Sequence, residues 1–322
     1  MINSAQNRVA VSRFTLPAVM FFSIAVWLAS GQLSFTVPSS LAELWQGGWV
    51  RFACFLVSVF LVIVLNNNNG LIRVYSRTVS CAFVVLMCAG NFLFNSTSAA
   101  LVQIFMIAFY LAIFQTYQDK TAVGWSYYAF LCVGLASCLF VQILFFVPVL
   151  WLMMFFQLSS FSWRMFCASL LGLVTPYWFM LPLLFFHGNA EAMAAHFMAL
   201  ADFSVSDSIS LTVNKLLFFV FVVALGITGT VHYYRKKLDD NIRIRLLYGC
   251  FILMWLVTGV FLVLQPQHYD MLVRLLVICV SPLIAHFLTF TNTRITNIAF
   301  HVIWVAALLM TLFNLWMPSL LF

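Results

Sequence analysis

The sequence predicts an all-α fold: a polytopic transmembrane bundle of about ten or eleven helices, with the N-terminus cytoplasmic and the C-terminus external. Three observations predict it. First, the 322 residues are 65% hydrophobic and only 7% charged, whereas a soluble domain carries about 25% charged residues. So few charges cannot cover a soluble globule of 36.6 kDa with a mean hydropathy of +1.07. Second, the apolar residues gather in stretches near the ~20 residues needed to cross a ~30 Å hydrocarbon core. Third, the basic residues fall in alternate gaps between those stretches.

The stretches run, in order, over 14–30, 49–65, 80–95, 98–117, 126–141, 143–157, 165–186, 215–234, 246–264, 271–290 and 296–316. The first follows a basic start and resembles a signal peptide, but bulky Trp27 and Leu28 crowd Ala29 and Ser30, where cleavage needs small residues. An uncleaved first helix is therefore expected. The region 126–157 is 32 mostly apolar residues, about 48 Å as one helix, and Pro148 interrupts it. Two short helices turning near Gln142 are expected. The alternative is a single crossing, followed by a re-entrant 165–186 broken by Pro176 and Pro182. NNNN at 66–69 reads as a short polar turn at a cytoplasmic helix end.

Charge sets the orientation. With the N-terminus inside, the cytoplasmic segments hold Arg8, Arg13, Arg73, Arg77, Lys120, Arg164, Arg235, Lys236, Lys237, Arg243, Arg245 and Arg294, twelve of the fifteen basic residues. Arg51, Lys215 and Arg274 sit at or within outer helix ends. Glu43, Glu191, Asp202, Asp207 and Asp270 fall outside. This is the positive-inside pattern, and it accounts for the net charge of +7 without nucleic acid, for which no aromatic-basic module is present. The chain reads as one integral membrane domain, 1–322, whose first partner is the lipid bilayer.

Two outer segments stand out. Residues 31–48 form the first outer loop. Residues 187–214 form the largest, where Asn189 can cap a helix reaching about Phe203, with Met193, Phe197, Leu200 and Phe203 on one face. Such a helix suits the membrane surface, or serves as a plain connector.

Ionisable groups within membrane spans are costly and mark candidate sites. In QPQHYDMLVR, 265–274, Asp270 and Arg274 stand four apart on one helix side, with His268 and Tyr269 just before. The group could hold a phosphate or carboxylate through Arg274, or be an internal ion pair. Glu43 stands with Trp45, Trp49 and Arg51 near the first outer loop, as a general base facing a lipid-linked substrate or as a solvated loop acid. His187, His196, Asp202 and Asp207 lack any metal-ligand spacing. His286 and His301 read as interhelical hydrogen-bonding groups, since no carboxylate is evident at their depth. Gln103, Gln115, Gln142, Asn91 and Asn314 read the same way. The eight cysteines form no CxxC and read as packing residues. No nucleotide-binding, nucleophile-elbow or dinucleotide motif is present, and no cofactor is called for.

This layout, many helices with an outer loop after the first and an amphipathic segment in a later outer loop, resembles the GT-C superfamily of membrane glycosyltransferases. The runs LNNNNGLIRVYSR at 65–77 and LLGLVTPYWF at 170–179 resemble uncharacterised bacterial inner-membrane proteins. The resemblance implies a polyprenyl-phosphate-linked sugar substrate, a bacterial inner-membrane location and catalysis by an acidic residue in the first outer loop. Glu43 is the residue that matches, with Arg51, His268, Asp270 and Arg274 as substrate-binding candidates; the first loop lacks an Asp or an acidic pair. A non-catalytic membrane subunit of a larger complex, or a transporter or flippase, are the other expectations the residues leave open.

Overall fold

The computed structural model describes residues 12–33, 45, 47–74, 76–186, 191–201, 212–290 and 294–320. Among these residues there are twelve α-helices and no strand. We label them α1 (Thr15–Ala29), α2 (Gly48–Asn69), α3 (Thr78–Ala89), α4 (Thr97–Ile113), α5 (Val123–Leu139), α6 (Val147–Phe156), α7 (Trp163–Phe186), α8 (Glu191–Met198), α9 (Val213–Lys236), α10 (Ile242–Leu264), α11 (Tyr269–Phe290) and α12 (Arg294–Leu320). Seven of them, α2, α4, α7, α9, α10, α11 and α12, supply segments long and apolar enough to cross a membrane. This is compatible with a multi-pass membrane protein. Thr15–Ala29, Thr78–Ala89, Val123–Leu139 and Val141–Phe156 are apolar but shorter. Each of the eleven predicted stretches overlaps one of these eleven elements, but seven rather than ten or eleven are long and apolar enough to span, and the stretch 80–95 is α-helical only to Ala89. The chain forms two compact units, residues 1–100 with 208–322, and residues 101–207.

In the first unit α11 is the central element: 89% of its most apolar window is buried, against α10, α9 and α3. Helix α3 has only 12 residues, nearly all buried, so it spans about 18 Å. A 3-10 turn, Asn91–Asn95, carries the chain on to α4. α1 and α2 pack on α3. The side-chain amide of Asn314 on α12 donates to the carbonyl of Ala89 at 2.6 Å, the interhelical role expected of it. Residues 66–69 are the last turn of α2 rather than a separate turn. The reversal comes at Gly70, whose φ of +57° is the left-handed conformation that glycine adopts without a Cβ clash.

In the second unit α5 and α7 cross at very short range. A Cβ on Gly172 would lie 2.5 Å from the Tyr127 carbonyl oxygen, and one on Gly134 would lie 2.8 Å from that of Leu173. Small residues are what allow such backbone approach between apolar helices. The Tyr177 hydroxyl donates to Ser137 Oγ at 2.8 Å, and Trp151 Nε1 to Ser169 Oγ at 3.0 Å.

The region 126–157 does break in two. Phe140 is extended, a 3-10 segment runs over Val141–Phe146, and α6 follows with Pro148 in its first turn. The chain reverses there, because the end of α6 returns to the start of α5. Gln118 N donates to the Leu158 carbonyl at 2.9 Å, and Ser162 Oγ to that of Lys120 at 3.2 Å. The 3-10 segment and α6 together extend about 27 Å. Helix α7 is continuous through Pro176 and Pro182, not broken at either proline as the re-entrant alternative for 165–186 supposed.

α8 is shorter than the amphipathic helix expected, and Asn189 and Phe203 lie outside the described residues. Nε2 of His196 is 3.1 Å from the Ser137 carbonyl and the Phe197 ring packs 5.2 Å from that of Tyr177. The described part of the segment, residues 191–201, is thus fastened to its own unit.

Candidate functional site

The first unit holds two polar groups, one at each end of α11. The first lies at its N-terminus. A 3-10 turn, Pro266–His268, delivers the chain from α10 into α11. Asp270 falls in the first turn of α11 and Arg274 one turn later. Asp270 accepts from Lys215 Nζ of α9 at 2.8 Å, a partner 55 residues away that the spacing with Arg274 did not suggest. The Tyr269 hydroxyl donates to the Lys215 carbonyl at 2.6 Å. The Lys215 ammonium also sits 5.4 Å from the Tyr269 ring and 5.8 Å from that of Phe92, within cation–π range.

Arg274 is 4% exposed. Its guanidinium is within electrostatic reach of Asp270 and of Cys54 on α2. Arg51 stands one turn before Cys54 on the same helix. Its Nη1 donates to Gln32 Oε1 at 2.9 Å and to the Phe94 carbonyl at 3.2 Å, and the Phe94 ring stacks on Trp27 at 4.1 Å. The amide of Gln265, 3% exposed, has neither its oxygen nor its nitrogen hydrogen-bonded, and the buried Trp27 indole N–H is likewise unpartnered. A buried amide with no partner costs free energy, roughly 1–3 kcal/mol, unless a ligand or water supplies one.

The predicted residues Arg51, Asp270 and Arg274 therefore share this end of the unit, with His268 half-buried in the entering turn. Glu43 lies outside the described residues, as do His187, Asp202 and Asp207. Sequence reasoning missed Gln265 and Trp27, whose only signal is burial, and placed Lys215 at the helix end without assigning it a partner.

The second group lies at the C-terminal end of α11, twelve residues and about 18 Å further along the helix. His286 is fully buried. Its Nε2 is 3.0 Å from Oδ2 of Asp240, and its Nδ1 is 3.4 Å from Nδ1 of His232 on α9. Oδ1 of Asp240 is 2.8 Å from Nε of Arg73. Arg73 also donates to the Asp239 carbonyl at 2.6 Å and lies 4.7 Å over the Phe290 ring. The close passage of α9 over α11 sets this up. A Cβ on Gly229 would be 2.8 Å from the Leu283 backbone, and three residues on from each stand His232 and His286, on the same faces. The expectation that His286 has no carboxylate at its depth is thus corrected: Asp240, just after the basic run 235–237, folds inward.

Outside the apolar helices, Asp119 accepts from the Thr121 hydroxyl at 2.6 Å and from its N–H at 2.8 Å, and these bonds hold its pKa below the ordinary carboxylate value. No family profile, curated protein or solved structure matches the chain.

Proposed function

We propose that this chain is a multi-pass cell-membrane protein, N-terminus cytoplasmic and C-terminus external, that binds the phosphate of a lipid-linked substrate at the α11 N-terminus. The observation that carries the reading is Arg274: a guanidinium 4% exposed in the second turn of an apolar helix. A charged side chain in a span costs about 2.5–3.5 kcal/mol on insertion scales and points to function. Its planar fork of donors matches a phosphate. Arg51 and Lys215 add positive charge at the same end, and the Gln265 amide offers a donor and an acceptor for a polar headgroup. The apolar flanks of the helices suit a polyprenyl tail lying in the bilayer. By the positive-inside pattern this end faces outward, because Arg73, Arg235, Lys236, Lys237, Arg243 and Arg245 lie toward the other.

A polyprenyl-phosphate-linked sugar is the substrate class that fits, with Glu43 in the first outer loop as the general base, in keeping with the GT-C-like layout and an inner-membrane location in bacteria. The test compares Glu43→Gln and Arg274→Ala with the unsubstituted protein for complementation of a strain lacking the gene, at matched membrane abundance. Loss of function in both supports the reading. Full complementation by both overturns it and favours a non-catalytic subunit.

A further inference from the structure

The buried group at the C-terminal end of α11 has no part in phosphate binding, and its hydrogen-bond logic is specific. Asp240 faces Arg73 through one oxygen and His286 Nε2 through the other. A carboxylate only accepts, so Nε2 of His286 carries a proton. In neutral His286 the Nδ1 is then bare, and the hydrogen bond to His232 requires that His232 carry its proton on Nδ1. Nε2 of His232 is left as a bare acceptor, and it is buried without a partner. The ring itself is only half-buried.

We propose that His232 and His286 form a proton-binding site, which takes up one proton at Nε2 of His232 and holds it on His286 against Asp240. A proton arriving at His232 Nε2 makes an imidazolium. Its Nδ1 proton then passes along the 3.4 Å contact to His286 Nδ1, leaving His232 neutral with its proton on Nε2 and His286 as the cation. One proton enters and none is lost.

The surroundings favour the charge on His286. The aromatic rings of Tyr233, Tyr248 and Phe290 meet it in edge-to-face packing at 5.5, 5.2 and 4.7 Å between centroids, and the Asp240 carboxylate on its Nε2 is the group that favours a cation there. Tyr233 donates its hydroxyl to the Arg245 carbonyl and Tyr248 its own to that of Pro282, so neither phenol competes for the imidazole. Arg235 and Lys236 stand near His232 and disfavour a resting charge on that ring, and the repulsion between two imidazoliums in contact opposes a second proton. The pair therefore titrates as one unit. Asp239 is turned out, 3.9 Å from Lys236. Because the site joins α9 to α11 and to the segment before α10, its charge state bears directly on how those helices pack.

The experiment is histidine-selective NMR of the full chain in lipid nanodiscs, titrated between about pH 5 and pH 8, where an imidazole ordinarily changes charge. At high pH His232 should be the Nδ1–H tautomer and His286 the Nε2–H tautomer. On acidification both rings should change at one shared midpoint. Asp240→Asn should lower the proton affinity of the pair at least tenfold. The His232 ring packs 5.3 Å from that of Phe287; His232→Phe keeps a ring there but removes the receiving nitrogen, and should abolish the His286 transition in this range. Separate midpoints, tautomers that never change, or a His286 transition unaltered in His232→Phe would each overturn the proposal. If Asp240→Asn does not fold, His232→Phe decides. The readout is independent of phosphate binding, so either reading can fail alone.

Discussion

Nε2 of His286 lies 3.0 Å from Oδ2 of Asp240, across 46 residues of sequence. The other Asp240 oxygen faces Arg73, so one carboxylate ties α11, the α9–α10 connection and the segment after α2 together. Asp240→Asn keeps the volume but withdraws the charge from both partners. Breaking a buried pair costs about 3–5 kcal/mol, and the Arg73 side chain is 35% exposed, so a loss of about 2–3 kcal/mol is expected. Thermal unfolding in detergent should show it as a lowered midpoint. The neighbouring Asp239→Asn, at a 54% exposed side chain, should stay within about 0.5 kcal/mol. Equal effects of the two variants would contradict this account.

The α5–α7 crossing predicts a contrast among glycines. Gly172→Ala would set a Cβ against the Tyr127 backbone, which cannot move aside as a side chain can, and should destabilise by about 1–3 kcal/mol. Gly124→Ala, with nothing within 4 Å of the new Cβ, should be neutral or stabilising by up to about 1 kcal/mol. Unfolding midpoints of the two variants, measured side by side, check the sign and the order.

The Lys215–Asp270 pair, at 2.8 Å with side chains 29% and 48% exposed, is too wet to anchor the fold. A double-mutant cycle with Lys215→Ala and Asp270→Ala should give a coupling under about 1 kcal/mol. A coupling of about 3 kcal/mol, the scale of a buried pair, would place these residues in the stability of the unit.

Asp119 gives the pH dependence a sign. Its bonds to Thr121 favour the charged form, so its folded pKa is below the unfolded one. The stability it contributes is complete above the unfolded value and is lost as pH falls through the folded one. Thr121→Val removes the hydroxyl, the largest cause, and should move the Asp119 midpoint up toward the ordinary carboxylate range in an NMR titration. An unchanged midpoint would show that the backbone N–H alone sets it.

The helices were legible because apolar length and period are local properties. The eleven stretches, the break near Gln142 and the role of Asn314 follow from residues within one element and its immediate neighbours. The end of α3 was not: its apolar run reads as 80–95, but the helix ends at Ala89 and, past Gly90, the rest tightens into the 3-10 turn Asn91–Asn95. The candidate site was half legible. Four-residue spacing put Asp270 and Arg274 on one side of α11, but the Asp270 carboxylate reaches Lys215 on another helix. Asp239 and Asp240 are adjacent and alike in sequence, yet one side chain is half exposed and the other 1% exposed. Only the tertiary path over Arg73 and His286 separates them, and no local pattern records that path.

The claim that Arg274 holds a lipid-linked phosphate is tested most directly by binding. The purified protein in lipid nanodiscs is titrated with a polyprenyl phosphate and, in parallel, with the corresponding neutral polyprenol, and Arg51→Gln accompanies Arg274→Gln as a second variant should either fail to fold. A charge-assisted hydrogen bond is worth about 1.5–3 kcal/mol, at least about tenfold in affinity. The account predicts saturable binding of the phosphate, much weaker binding of the alcohol, and a loss of tenfold or more in the folded variant. Equal binding of phosphate and alcohol, or an affinity unchanged by the substitution, would contradict it.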